Sequence, residues 1–409
     1  MAGTIAIIST LDTKGEEAGY LKNLIEKRGH HTIVIDVGIL GEPYFEPDVS
    51  KKEVAGASGS SIEALIATGD EAVSMERMAA GTARITTDLY TKQRLDGALA
   101  LGGSMGTSLA LKVMKGLPIG FPKLIISTIA FSPLIPQDEV AADLMMILWA
   151  GGLRGINRIS RRVLHVAAGA IAGAVEEKEE GTPGRKKVVG ITCRGAVSSQ
   201  WITRIKQGLE ERGYELEVFH ATGMGGRAFE QAIAEGLIDV ALDLSTGELT
   251  DHVCGGFCSA GKGRMEAAGR KGIPQIVAGG SSGTFLWRTD QPIPGKYQGR
   301  STHVHNSLIT VIGTSTEERA QVGKVMAEKL NRARGPAAVV IPMDRPPKDP
   351  SGSFYSPEGL MAFKRALKDT IKPHIKVVEL DTHINDSLFS DTVMALFDEM
   401  TAGRNDKNE

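Results

Sequence analysis

Cysteine is scarce in this chain, with three residues in 409. Three thiols cannot build a disulfide framework, which excludes a small stapled secreted scaffold and fits a reducing compartment. Aromatic side chains make up only 5%, too few to furnish stacking platforms for single-stranded nucleic acid. Charge of either sign is nearly balanced, giving a formal net charge of -2. No global field therefore draws the protein to nucleic acid or to anionic lipid. Long hydrophobic runs are missing too. The stretch "AADLMMILWAGGL" is too short to span a bilayer and is flanked by Asp143 and Arg154. The chain enters an apolar run, "GTIAIIST", with no basic or cleavable leader before it. A soluble, cytoplasmic protein with neither a membrane nor a nucleic-acid partner is expected.

Glycine is abundant, at 49 residues, and it clusters behind short apolar runs. That pattern fits tight strand-to-helix loops. Runs such as "TIAIIS", "HTIVIDV", "GALALGG" and "KLIISTI" alternate with helical patterns in the first half. The second half offers "KVVGITC", "ELEVFHA", "VALDLS", "QIVAGG", "AAVVIP" and "IKVVELD". Near-continuous Val/Ile/Leu strands are covered on both faces, which implies largely parallel sheets. The halves also resemble each other: "IAIISTLDTKGEEAGYLKNLIEKRGHHTIVIDVG" aligns with "VVGITCRGAVSSQWITRIKQGLEERGYELEVFHATG". The expected fold is α/β, with two internally duplicated Rossmann-like lobes, residues 1–180 and 181–409. A helical insertion over 50–92 enlarges the first lobe, "INRISRRVLHVAAGAIAGAVEE" closes it, and the polar run 176–187 marks the boundary.

Ligands of such folds gather at the carboxyl ends of strands. The first lobe places three polar loops there. "STLDTKGEE" brings Thr10, Asp12, Thr13 and Lys14 to a helix start, where unpaired N–H groups and a positive partial charge favour an anion. "GGSMGT" contributes Gly102, Gly103, Ser104, Gly106 and Thr107, a loop that lets a phosphate approach the backbone but lacks the Lys-Ser/Thr of a P-loop. "IISTIA" adds Ser127 and Thr128, and Asp36 closes the second strand where an acid commonly meets a ribose hydroxyl. Each of these also reads as an ordinary cap or turn. Their concurrence at four strand ends favours a phosphate cradle.

In the second lobe, "HATGMGGRAFEQAI" sets Gly223, Gly225, Gly226 and Arg227 at another anion-receptive helix start, expected to bind substrate. "RSTHVHNSL" and "DTHIND" supply His303, His305, His383 and Asp386, residue types suited to acid/base work or to a divalent metal. Loop histidines satisfied by backbone are the plainer reading. Cys254 and Cys258, near His252, lack the spacing of a zinc finger and read as buried thiols.

Together, "STLDTKGEE", "DGALALGGSMGT", "STIA", "HATGMGGRA", "HVCGG", "AAGRKGIP", "HVHN", "KLNRARGP" and "HIND" resemble one family across residues 3 to 390. It comprises the ATP-binding domain of the tomato mosaic virus resistance protein and its microbial relatives. The resemblance implies two Rossmann-like subdomains, ATP or another adenine nucleotide on the Thr13/Lys14 and GGSMGT loops, and a homodimer. Where members read proline-glycine-x-x-aspartate after "GIP", and an arginine-containing run after histidine-asparagine, this chain has "AGGSSGTFLWR" and "SLITVIGTST". A different second-lobe ligand is therefore expected. Three functions stay open. One is an enzyme acting between the lobes on a small anionic metabolite, and another is a non-catalytic nucleotide-sensing or interaction module. The third is a metal-dependent hydrolase or lyase with a regulatory nucleotide.

Overall fold

A strand covered on both faces must be apolar at every position, and β1 (Thr4–Ser9) shows the consequence. In the computed structural model, which describes residues 2–177, 186–194, 200–343 and 354–402, its side chains alternate between two cores. Ile5 and Ile7 pack with Leu21 and Ile25 of α1 (Leu11–Glu26) and with Leu164 and Ile171 near the first unit's end. Ala6 and Ile8 pack on the other side, with Val54, Met78, Leu109 and Val113.

The chain divides into two compact units, Met1–Thr182 and Pro183–Glu409. The polar run 176–187 lies largely outside the described residues. After α1 the first unit continues with β2 (His31–Asp36) and three helices, α2 (Lys51–Ala57), α3 (Ile62–Ala67) and α4 (Glu71–Thr91). Ser50 starts α2 through a capping box with Glu53, and Asp70 caps α4 by accepting from Ala72 and Val73 N–H. Then come β3 (Gly97–Gly102), α5 (Ser104–Lys115), β4 (Lys123–Ser127), β5 (Met145–Leu148) and α6 (Arg158–Glu176). The sheet is wholly parallel, in the order β2-β1-β3-β4-β5.

The second unit begins with β6 (Val188–Cys193), α7 (Gln200–Glu211), β7 (Glu215–His220), α8 (Met224–Glu235), β8 (Val240–Asp243), α9 (Gly247–Cys254), α10 (Ala267–Lys271) and β9 (Gln275–Ala278). A three-stranded antiparallel sheet follows, from β10 (Thr284–Arg288), β11 (Thr302–Val304) and β12 (Ile309–Gly313). The unit ends with α11 (Thr316–Leu330), β13 (Ala337–Ile341), α12 (Pro357–Thr370), β14 (Lys376–Glu379) and α13 (Ser387–Thr401). Its large sheet is parallel, in the order β14-β13-β9-β8-β6-β7. Counted from each unit's own first strand, both sheets run 2-1-3-4-5, the second adding one more strand. Two Rossmann-like lobes with matching strand order result, as the duplicated pattern predicts. The small antiparallel sheet and β5 were not expected. Among the described residues no helix is long and apolar enough to cross a membrane.

Candidate functional site

In a 2-1-3-4-5 sheet the connections from strands one and three leave on opposite faces, so a crevice opens between their carboxyl ends. The first unit shows this directly. Leu11, Ala18 and Leu21 of α1 pack against one face of the sheet, and Leu109, Val113 and Met114 of α5 against the other. At that point lies a cavity of about 550 Å³. Thr10, Asp12, Thr13 and Lys14 line it from the loop after β1, and Gly102 to Gly106 with Leu109 from the end of β3 and the start of α5. The loop after β2 adds Val37 to Leu40, and the helical insertion adds Leu65, Ile66, Gly69, Asp70, Glu71, Ser74, Met75 and Met78.

Two helix starts meet this cavity, and their amides differ. At α1 the N–H of Leu11 is held by Asp36 Oδ1 at 3.0 Å, and those of Thr13 and Lys14 by the Thr10 carbonyl at 3.3 and 2.8 Å. At α5 the first return bond is from Thr107 N–H to the Gly103 carbonyl, 2.8 Å, leaving Ser104, Met105 and Gly106 N–H without acceptors among the described residues. The open anion-binding end is therefore that of α5. A Cβ on Gly102 would stand 2.7 Å from Gly106 Cα, so that glycine is required by the turn itself. A Cβ on Gly103 would meet nothing closer than Thr128 Oγ1 at 3.9 Å, at an ordinary φ of -74°. Nothing in the protein asks Gly103 to be glycine.

Four of the expected nucleotide contacts lie outside the cavity lining. Asp36 is 2% exposed, and its Oδ1 accepts from both Leu11 and Gly38 N–H, so it fastens two loops instead of facing the cavity. Thr107 and Ser127 are fully buried and share a hydroxyl hydrogen bond of 2.7 Å, tying α5 to the end of β4. Thr128 stands beside Gly103 but outside the lining. Of the rest, Thr10 and Thr13 hydroxyls pair at 2.7 Å, and Lys14 Nζ donates to the Leu153 carbonyl at 2.6 Å. Asp12 Oδ1 is buried with no hydrogen-bond partner among the described residues. The insertion and the Val37–Leu40 loop were missed as site elements because their apolar residues read as core. Gly38 and Gly41, bracketing Ile39 and Leu40, were the available signal.

In the second unit the crevice at the start of α8, which follows the second strand β7, is occupied by the protein's own charges. Glu248 on α9 places Oε1 2.5 Å from Gly223 N and 3.0 Å from Gly226 N, at the start of α8. Gly226 is glycine because a Cβ there would stand 1.8 Å from Glu248 Oε2, and Gly225 because one would stand 1.9 Å from the His220 carbonyl. The anion expected on Gly223, Gly225, Gly226 and Arg227 is thus an internal carboxylate. Arg227 itself donates to the Ser259 carbonyl at 3.1 Å. Behind Glu248 stands Arg264, fully enclosed, which donates to Glu248 Oε2 at 2.7 Å, to both oxygens of Asp243, and to Glu230 at 3.3 Å. Burial pushes the Glu230 carboxyl up despite Arg264 beside it, and burial likewise raises Asp251, which is paired with Arg194.

The expected catalytic residues fall into two pairs on different sheets. His303 lies on β11 and His305 just beyond it, both exposed on the small antiparallel sheet. His383 and Asp386 form a turn after β14 in which the Asp386 carboxylate accepts from Thr382 Oγ1 and His383 N–H. Asp386 thereby leads into α13 as a structural turn residue. Cys254 and Cys258 are buried, and burial pushes both thiols up to about 12. Among the described residues no group of three His, Cys, Asp or Glu is arranged to hold a metal ion.

Comparison with known proteins agrees with the two-unit division. Residues 3–180 match the N-terminal domain and residues 186–401 the C-terminal domain of the uncharacterised protein family UPF0261. A UPF0261 protein of Brucella suis biovar 1 is 41% identical over 400 residues, 97% of this chain and 96% of that one. The ToMV resistance protein Tm-1(GCR237) of Solanum lycopersicum is 35% identical over 323 residues, 76% of this chain and 42% of that protein. Among solved structures, an esterase domain from a Rhodothermus marinus protein aligns with a TM-score of 0.30 at 14% identity, over 53% of this chain and 85% of that one. The chain belongs to the UPF0261 family.

Proposed function

We propose that the first unit of this UPF0261 protein binds an adenine nucleotide, ATP in the first instance, in the cavity at the carboxyl ends of β1 and β3. One observation carries the reading. A single cavity of about 550 Å³ joins three unpaired backbone N–H groups at the start of α5 to an apolar wall from Ile39, Leu65, Ile66, Met75, Met78 and Leu109. That combination suits a ligand with an anionic end and a flat apolar end, and the volume lies within the usual range for small-ligand sites. The wall carries the carboxylates of Asp12, Asp70 and Glu71 against one ammonium, Lys14. A triphosphate is therefore expected to enter with its divalent cation, which offsets the repulsion.

Binding, not turnover, is the activity proposed. The lining contains no histidine, cysteine or arginine, and the Lys14 ammonium is engaged by the Leu153 carbonyl. Those features favour a nucleotide-sensing unit over a phosphoryl-transfer site. Titration calorimetry with magnesium and ATP tests the reading, and saturable binding is expected. Gly103→Val should weaken it by about tenfold or more while leaving the ligand-free melting temperature close to the wild-type value, because Gly103 lines the cavity and a Cβ there meets nothing closer than Thr128 Oγ1 at 3.9 Å. Absence of heat at millimolar ATP would overturn the reading.

A further inference from the structure

We infer that Asp12, not the strand-end acid Asp36, reads the ribose of the bound nucleotide, with the phosphates seated on α5. The inference rests on the nucleotide reading above and adds a polarity and a specificity residue to it. In doubly wound folds the acid closing the second strand accepts the ribose hydroxyls. Here that residue is Asp36, and its Oδ1 is fixed by Leu11 and Gly38 N–H in a buried position. Its Oδ1 supports the loops, and the residue lies outside the cavity lining.

Asp12 stands beside it in the cavity wall. A Cβ on Gly38 would lie 3.1 Å from Asp36 Oδ1 and 3.3 Å from Asp12 Oδ1, so both oxygens border the same point. Asp12 is thus beside the place the ribose-binding acid usually takes, and unlike Asp36 it is a residue of the cavity lining. Its Oδ1 is turned under the Gly38–Gly41 loop and receives no hydrogen bond. A carboxylate oxygen held from water without a donor is unfavourable, and rotation about the soft χ2 torsion returns it to the cavity when a donor arrives.

The chemistry of the donor follows from what each part of a nucleotide offers. Phosphate oxygens are anionic and acceptors only, so Asp12 repels them. They go instead to the unpaired N–H groups of Ser104, Met105 and Gly106, since the first-turn amides of α1 at Leu11 and Thr13 already have acceptors. The sugar lies between phosphate and base and brings two hydroxyl donors, and a carboxylate accepts such a pair well. The apolar wall of the insertion is left for the base.

The test compares ATP, 2′,3′-dideoxy-ATP and inosine triphosphate, each with magnesium, by calorimetry on the wild-type protein and on Asp12→Ala. Wild type should prefer ATP over the dideoxy analogue by about tenfold or more, the scale of a hydrogen-bonded pair to a charged group. Asp12→Ala should bind the dideoxy analogue as wild type does and lose most of that preference. Its ligand-free melting temperature, expected at or above the wild-type value, shows that the variant is folded. Asp12→Asn, which keeps shape and one acceptor, should retain part of the preference if Asp12→Ala proves unfolded. Equal wild-type affinity for ATP and the dideoxy analogue overturns the inference while leaving the nucleotide reading intact. So does a folded Asp12→Ala that keeps the ribose preference. Loss of discrimination between ATP and inosine triphosphate instead would make Asp12 a base reader and also overturn it. If no nucleotide binds wild type, the nucleotide reading falls and the inference falls with it.

Discussion

The two units repeat the same strand order, yet the crevice at the start of α5 is open and the one at the start of α8 is filled. In the first, the start of α5 shows three free amides to a cavity. In the second, the start of α8 holds Glu248, and Arg264 closes the space behind it. Glycine-rich loops follow a strand in both units, so loop composition does not separate a ligand site from a self-satisfied one. The difference lies in a residue more than twenty positions downstream of the loop. A helix start is neutral about where its anion comes from, and a protein side chain serves as well as a phosphate. The two starts are not topological counterparts, since α5 follows the third strand of its unit and α8 the second.

The hardest way to break that comparison is to remove the charge that holds the filled crevice together. Arg264→Leu leaves Asp243, Glu248 and Glu230 enclosed without their shared guanidinium. Removing one partner of a buried ion cluster is expected to destabilise by about 3–5 kcal/mol, read as a lower urea midpoint. A midpoint unchanged from wild type would mean that the cluster is solvated and the crevice is not filled in the sense argued here.

Glu248→Ala is the next largest change, and it sharpens the comparison by trying to convert one crevice into the other. It deletes the carboxylate on Gly223 and Gly226 N–H and frees Arg264 Nε. A loss of about 2–3 kcal/mol is expected for hydrogen bonds to a charged group. Sulfate or phosphate should then raise the melting temperature of the variant more than that of wild type, because the vacated helix start accepts an external anion. Equal responses of the two proteins to sulfate would show that the emptied helix start is not an anion site.

A finer pair tests the open crevice. Gly102→Ala forces a Cβ to 2.7 Å from Gly106 Cα and should cost about 1–3 kcal/mol through backbone displacement. Gly103→Ala, with free space at that position, should stay within about 0.5 kcal/mol of wild type. Matching losses from the two would mean that Gly103 has a structural role after all.

Much of the fold was legible because burial on both faces writes itself as uninterrupted Val/Ile/Leu runs, as in β1, β3 and β13. The duplicated order was legible because the same run-helix-run spacing recurs. The small antiparallel sheet was not, since β10 carries Trp287 and Arg288 and β11 is exposed throughout, so neither shows a clean alternation. At the site, the loops of Thr10–Lys14 and Gly102–Gly106 were readable because strand-end position and residue type coincide. Asp36 was readable as a strand-end acid, but its direction was not. A carboxylate facing a ligand and one fastening Leu11 and Gly38 N–H have the same one-letter pattern. Glu248 belongs to none of the motifs read from the sequence. Its partnership with Gly223 and Gly226 is a tertiary fact with no local signature.

The smallest predicted difference between the units is in their response to acid. His252, on α9 of the filled crevice, has its pKa lowered first by burial and then by Lys329 and Lys262, and its Nδ1 lies 3.2 Å from Ser259 Oγ. Its folded value is below the ordinary 6.5, so the neutral form is favoured in the fold. The stability it contributes is present above 6.5 and is lost as pH falls through the lowered value. In the first unit the held groups titrate later. Glu26 is raised by burial but lowered more by Lys22 and Thr32, and Glu53 is lowered by the Ser50 N–H and hydroxyl, so both lose their contribution only below about 4.5. Glu230 and Asp251 act in the opposite sense, since burial raises both and acid therefore favours their folded, protonated forms. A wild-type pH profile alone would mix these signs. The difference between wild type and His252→Gln isolates the imidazole, because the carboxylates are common to both. Urea unfolding at pH 7.5 and at 5.5 should show the variant gaining on wild type as pH falls. Solvent screening keeps the gain below about 1 kcal/mol. A difference that is flat with pH would show that His252 titrates as it does in the unfolded chain, and that α9 packs more loosely than the Glu248 contacts require.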